Sequence, residues 1–220
     1  MRRLPWARRI AAVASLGDEN RRRLFGFVSS SSGAVGRDEA AAALEIPRST
    51  ASFQLDRLVQ DGVLTVEFRK LGGKAGPGSG RPAKLYRPAQ PELSASVPDR
   101  NYDLAGELMA AAIERSSAAG EPVRDALLAT SYAKGLEMAE GSHSLEEFLS
   151  AEGYLPDPDG AGGFALRNCP FHRLADGHAD VVCAMNGAFL TGAAAGCGVA
   201  EDRIVGNKAA GQCCARITPP

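Results

Sequence analysis

The segment "IPRSTASFQLDRLVQDGVLTVEFRK", residues 46–70, leaves this chain the fewest options. Pro47 suits a first helical turn, and Phe53, Leu55, Leu58 and Val59 are expected core positions before a stop at Gly62. "VLTVEFRK" then alternates as a strand, "LGGKAGPGSGRPAK" is a Gly-Pro-Lys-Arg hairpin tip, and "KLYRP" is the return strand. Upstream, "GDENRRRLFGFVSSSSG" predicts a helix capped by Asp18 with Leu24, Phe25 and Val28 apolar, and "GRDEAAAALEI" a short Ala-rich helix.

Helices that run into a β-hairpin with a basic, glycine-rich tip describe a winged helix-turn-helix. The charge agrees with a polyanionic partner. Residues 1–90 carry 16 Lys and Arg against 8 Asp and Glu, a net +8, whereas residues 91–220 carry 9 against 18, a net −9. A recognition helix must bring its N-terminal side chains to base edges while basic and hydroxyl groups hold phosphates. Arg48, Ser49, Thr50, Ser52 and Gln54 occupy the first turns of the third helix of this motif, with Ser49 and Thr50 also expected to cap it. Lys70, Lys74, Arg81 and Lys84 flank the wing, and Arg81 is placed to reach a narrow minor groove.

"IPRSTASFQLDRLVQDGVL" with "GRPAKLYRP" resembles the winged-helix regulators of the ArsR/DeoR type, over roughly residues 18–88. The resemblance implies a homodimer on a palindromic double-stranded DNA operator, with the helices of 101–140 as dimer-forming elements. It does not fix the signal sensed, and no enzymatic activity is expected, because no nucleophile–base–orienter set stands out beyond the Cys/His cluster.

No segment is expected to span a membrane. The longest uncharged run, Val181 to Ala200, is Gly- and Ala-rich and interrupted by Asn186 and Thr191, and so predicts a buried helix. The N-terminal "MRRLPWARRIAAVASLGDENRRR" is a basic arm and a first helix rather than a signal peptide, because its apolar patch is short and Asp18 to Arg23 follow directly. A cytoplasmic location is expected, where cysteines serve as ligands or redox groups rather than disulfides. The domains expected are 1–90, the winged helix-turn-helix, and 91–220, for dimerisation and sensing, with Pro88, Pro91 and Pro98 marking the linker. Beyond it, helices are predicted around Leu104–Ile113, Val123–Met138, Leu145–Leu149 and Ala179–Ala195. Two short strands flank an Asp-Pro-Gly turn, and "QCCARI" is a terminal strand, so the fold class is α+β.

All five cysteines fall in the last quarter, at Cys169, Cys183, Cys197, Cys213 and Cys214, with intervals of thirteen, thirteen and fifteen residues between the first four. No C-x-x-C pair is present, which disfavours a zinc ribbon. With "NCPFH" and "VVCAMN", this spacing resembles the C-terminal domain of SufR-type regulators, winged-helix repressors of iron–sulfur assembly operons. The resemblance implies an iron–sulfur cluster, [4Fe-4S] or [2Fe-2S], and a repressor.

Geometry then weighs the thiols. On one unbroken helix Cys183 and Cys197 lie roughly 21 Å apart and cannot share a cluster. On a strand, Cys213 and Cys214 point to opposite faces, so only one of them should face it. The expected ligands are therefore Cys169, Cys183 and one of Cys213 and Cys214, with a fourth place open. Cys197, His172 and His178 rank behind them, and His143 is expected at the surface. The alternatives are a zinc site of Cys169, His172, His178 and Cys183, a small organic ligand in an apolar pocket of residues 101–166, and, ranked lowest, a thiol redox enzyme.

Overall fold

Asp18 acts as its position predicts. Its carboxylate accepts a hydrogen bond from the backbone N–H of Arg21 at 3.0 Å and starts helix α2, Glu19–Ser30. The computed structural model describes residues 4–69, 82–207, 209 and 211–220. Contacts divide the chain into two units between Ala95 and Ser96, inside the proline-marked linker.

In the first unit, α1 (Trp6–Ser15) precedes α2, and β1 (Val35–Gly36) leads into α3 (Arg37–Ala43). Helix α4 (Arg48–Gln60) then runs into the antiparallel hairpin of β2 (Leu64–Arg69) and β3 (Ala83–Pro88). The sheet order is β1-β3-β2, with Val66 and Val35 both opposite Tyr86. Leu24, Val28, Ala51, Leu55, Leu58, Leu64 and Tyr86 form its core.

Two expectations for α4 are corrected. Phe53 is not a core residue: it is 68% exposed, while Leu55 and Leu58 are fully buried. Ser49 and Thr50 do not cap the helix, which starts behind Pro47 without a side-chain cap; the fixed φ of proline performs the pre-organisation instead.

In the second unit, Asn101 caps α5 (Tyr102–Ala119) by accepting from the N–H of Leu104 at 3.3 Å. Helices α6 (Val123–Ala139) and α7 (Leu145–Ala151) follow, with Ser144 capping the latter. Strands β4 (Pro156–Pro158) and β5 (Phe164–Leu166) precede the long α8 (His172–Gly196), and β6 (Ile204–Gly206) and β7 (Ala215–Ile217) complete an antiparallel sheet of order β4-β5-β7-β6. Helix α8 breaks at Asp176–His178, where Gly177 takes φ 122°, so the regular run starts at Ala179. The thiols of "QCCARI" lie ahead of β7 rather than in it.

Helices α6 and α8 pack almost backbone to backbone. A Cβ at Gly135 would collide with the carbonyl oxygen of Phe189, and one at Gly192 with that of Tyr132. This approach fixes the buried face of α8, which carries Val182, Met185, Asn186, Phe189 and Leu190.

Candidate functional site

Two sets of residues carry chemistry, one in each unit. In the first unit, α4 lines a shallow groove with Arg48, Ser49, Ser52, Phe53, Arg57 and Gln60, closed on one side by Arg37 from α3. Arg48 and Ser49 are exposed, while Thr50, Ser52 and Gln54 are half-buried. Arg48 is ion-paired with Asp38, to which its Nε donates at 2.7 Å. The Gln54 amide oxygen accepts from Arg21 Nη1 at 3.2 Å, which turns that side chain toward α2. Lys84 Nζ, 2.5 Å from Asp56 Oδ1, also lies 5.3 Å from the centre of the Tyr86 ring. Tyr86 donates to the same Asp56 oxygen at 2.7 Å. Burial acts to raise the Asp56 carboxyl, but the bonds from Lys84 and Tyr86 outweigh it and hold the group below the ordinary carboxylate range. Lys70, Lys74 and Arg81 lie outside the described residues.

Arg37 and Arg57 are groove residues that sequence reasoning missed. Arg57 could have been found from its place one turn beyond Phe53 on the same helix face.

Residues 16–67 match the family model of a helix-turn-helix domain. This stretch is a helix-turn-helix domain. It supports a DNA-binding transcription regulator, and the match spans less than half of the chain. No curated protein and no solved structure matches the chain. Among the described residues, no helix is long and apolar enough to cross a membrane.

In the second unit, the thiols of Cys169, Cys183, Cys213 and Cys214 influence one another pairwise. The Cys169 and Cys213 thiols shift one another's titration, as do Cys213 and Cys214, and Cys214 and Cys183. Cys213 and Cys214 precede β7, outside the strand alternation expected for them. Both sulfurs accept from the amide Nδ2 of Asn186, at 3.2 Å and 3.6 Å, because the pair lies outside the regular strand. Cys197 stands apart: it ends α8, fourteen residues or roughly 21 Å beyond Cys183, and packs against the core. His172 and His178 are exposed at the start and the break of α8, and His143 is exposed before α7.

The set is held by its backbone. The N–H of Cys213 donates to the carbonyl of Leu166 at 2.9 Å, and the carbonyl of Cys214 accepts from Asn207 at 2.7 Å. The Cys169 carbonyl accepts from Arg100 Nη1 at 3.3 Å and from the His172 N–H at 3.1 Å. The neighbouring Asn168 amide donates to the carbonyls of Gly153 and Asp99.

Electrostatics singles out one sulfur. The Cys213 thiol beside Cys169 lowers the latter, against a rise from burial. Cys213 is pushed up to about 12 by Cys169, and Cys183 to about 12 by burial and Cys214. Burial alone raises Cys197.

Asn186 and Tyr154 are the residues that sequence reasoning did not place in this site. Asn186 is fully buried, and its Oδ1 accepts from the Tyr154 hydroxyl at 2.6 Å, so the two form a relay ending on two sulfurs. The signal was an amide in the otherwise apolar run of α8. Asn186→Leu leaves the buried Tyr154 hydroxyl unpartnered and is expected to cost about 1–3 kcal/mol in denaturant unfolding. Asn186→Leu combined with Tyr154→Phe should recover part of that loss, whereas strictly additive effects would show that the relay does not couple the two.

A soft, all-sulfur donor set suits iron–sulfur clusters, zinc or copper(I), and an amide donor on two of the sulfurs suits thiolates. Among the described residues, no group of three or more His, Cys, Asp or Glu side chains is arranged to hold a single metal ion. Cys169, His172, His178 and Cys183 are therefore not gathered as a zinc site there.

Proposed function

We propose that the chain is a homodimeric transcription regulator that binds a double-stranded DNA operator through its helix-turn-helix domain, as a repressor, and senses iron–sulfur or redox status through a cluster on its C-terminal thiols. The helix-turn-helix match over residues 16–67 carries the DNA-binding part. The convergence of four thiols from three separate stretches of the chain supports the sensing part.

Cys169, Cys183, Cys213 and Cys214 would hold the group, and a bound cluster would supply a redox- and oxygen-sensitive centre. The chain's own residues prepare the place. Asn186 orients Cys213 and Cys214, and Tyr154 fixes the amide so that its N–H groups face sulfur. A thiol set able to change state biases one of two conformations of a dimer, and so its affinity for the operator. The acidic C-terminal stretch, net −9 over residues 91–220, does not compete for phosphate.

On the DNA side, Arg48, Ser49, Thr50, Ser52 and Gln54 supply base-edge and nearby phosphate contacts, and Lys70, Lys74, Arg81 and Lys84 supply phosphate contacts. Arg48 must exchange Asp38 for the nucleic acid, and Gln54 must release Arg21. Lys74→Ala or Arg81→Ala is expected to weaken binding to all duplexes alike and to lower the salt slope by about one. Arg48→Ala should instead change the preference between duplexes. Titrations of specific and random duplex over a salt series check this, and uniform losses from all three variants would contradict the division of roles.

A further inference from the structure

We infer that Phe53 reads thymine, through van der Waals contact of its ring with the 5-methyl groups that thymine presents in the major groove. The inference rests on the DNA-binding reading above and deepens it.

Helix α4 buries Ala51, Leu55 and Leu58 completely, yet leaves the large ring of Phe53 68% exposed. Exposure forgoes the favourable burial that a phenylalanine gains inside a core. Phe53 follows Ser49 by one helical turn and shares its groove with Ser52 and the guanidinium groups of Arg37, Arg48 and Arg57. Three cations around one aromatic ring are the wrong surroundings for an apolar protein partner and the right ones for a duplex. Arg37 and Arg57 exchange their carboxylate partners, Asp38 and Asp61, for phosphates, Arg48 and the serine hydroxyls meet polar base edges, and the ring is left for an apolar group. In the major groove the apolar group on a base edge is the methyl of thymine. The acidic residue in this groove, Asp56, is engaged by Lys84 and Tyr86, so it does not turn phosphate away.

The test starts from a duplex selected by wild-type protein out of a random-sequence pool. Each thymine is then replaced in turn by deoxyuridine, which removes only the methyl group. Wild type is expected to lose about fourfold in affinity per contacted methyl, at one or two positions in each half-site. Phe53→Ala should bind the thymine and uracil duplexes equally, with an unchanged thermal melt because the side chain is exposed. Phe53→Leu should keep part of the discrimination. A wild type indifferent to uracil at every position overturns the inference, as does a Phe53→Ala protein that keeps the full uracil penalty. A Phe53→Ala change that alters oligomeric state and not base preference also overturns it, assigning the ring to contact between copies. A pool that wild type fails to enrich overturns the DNA-binding reading itself, and this inference with it.

Discussion

Serine at Cys169, Cys183, Cys213 or Cys214 is expected to abolish most of the iron and acid-labile sulfide bound by anaerobically purified protein, whereas Cys197→Ser keeps both. The four thiols act on one another pairwise, and Asn186 donates to Cys213 and Cys214, so each loss removes a soft donor that oxygen replaces poorly. Cys197 ends the long helix about 21 Å from Cys183, too far to join them. Loss of a positioning partner alone typically costs 10–100-fold in metal affinity, and loss of a ligand should cost at least about that much. Iron retained by Cys214→Ser but lost from Cys213→Ser would return the site to three thiolates with an open fourth place. Iron lost from Cys197→Ser would contradict the assignment.

Alanine at Gly192 or Gly135 is the second large effect expected, and its sign is the informative part. In a helix interior, replacing glycine by alanine is ordinarily favourable by about 1 kcal/mol. Gly106 on α5 has open space where its Cβ would stand, so Gly106→Ala should show that gain. At Gly135 and Gly192 the same methyl would run into the backbone of the facing helix, at Phe189 and Tyr132, and no rotamer change relieves a clash with a carbonyl. Separating α6 from α8 would also disturb Asn186 and Cys183, which the same helix carries. Both variants are expected to lose about 3 kcal/mol in urea unfolding. Gly192→Ala should also lower iron content without touching a thiol. A stabilised Gly192→Ala protein would contradict the close helix contact.

Much of this architecture is legible in the sequence because its elements are long or punctuated. Helix α4 follows from Pro47 and the spacing of Leu55 and Leu58, and α8 from the uncharged run Val181 to Ala200, with the break at Gly177 ahead of it. The hairpin of β2 and β3 follows from alternation on either side of a glycine-rich tip. Strands β1 and β6, of two and three residues, are too short for a period to register.

The misplaced residues have physical explanations. Phe53 is apolar, but it stands two residues before Leu55, and residues two apart on a helix do not share a face. Its chemical type suggests core where its phase forbids it. Cys213 and Cys214 look like part of a strand because "CARI" continues into one, yet pairing begins only at Ala215. Gln54 is turned away by Arg21, thirty-three residues upstream, a tertiary contact with no local signature. Asn186 was visible only as an interruption in an apolar run, and its partners Tyr154, Cys213 and Cys214 come from distant parts of the chain.

The claim that thiol state governs DNA binding is tested most directly by one titration. Protein purified anaerobically, with iron and sulfide quantified, is titrated against a duplex of its own selection, before and after the metal is stripped by a chelator under reducing conditions. The account predicts an iron-containing protein whose operator affinity changes at least about tenfold on stripping, as a coupling free energy of about 1.4 kcal/mol requires. Cys169→Ser protein should behave as the stripped form from the outset. Equal affinity in both states, or protein that binds the duplex but carries no metal, would contradict it.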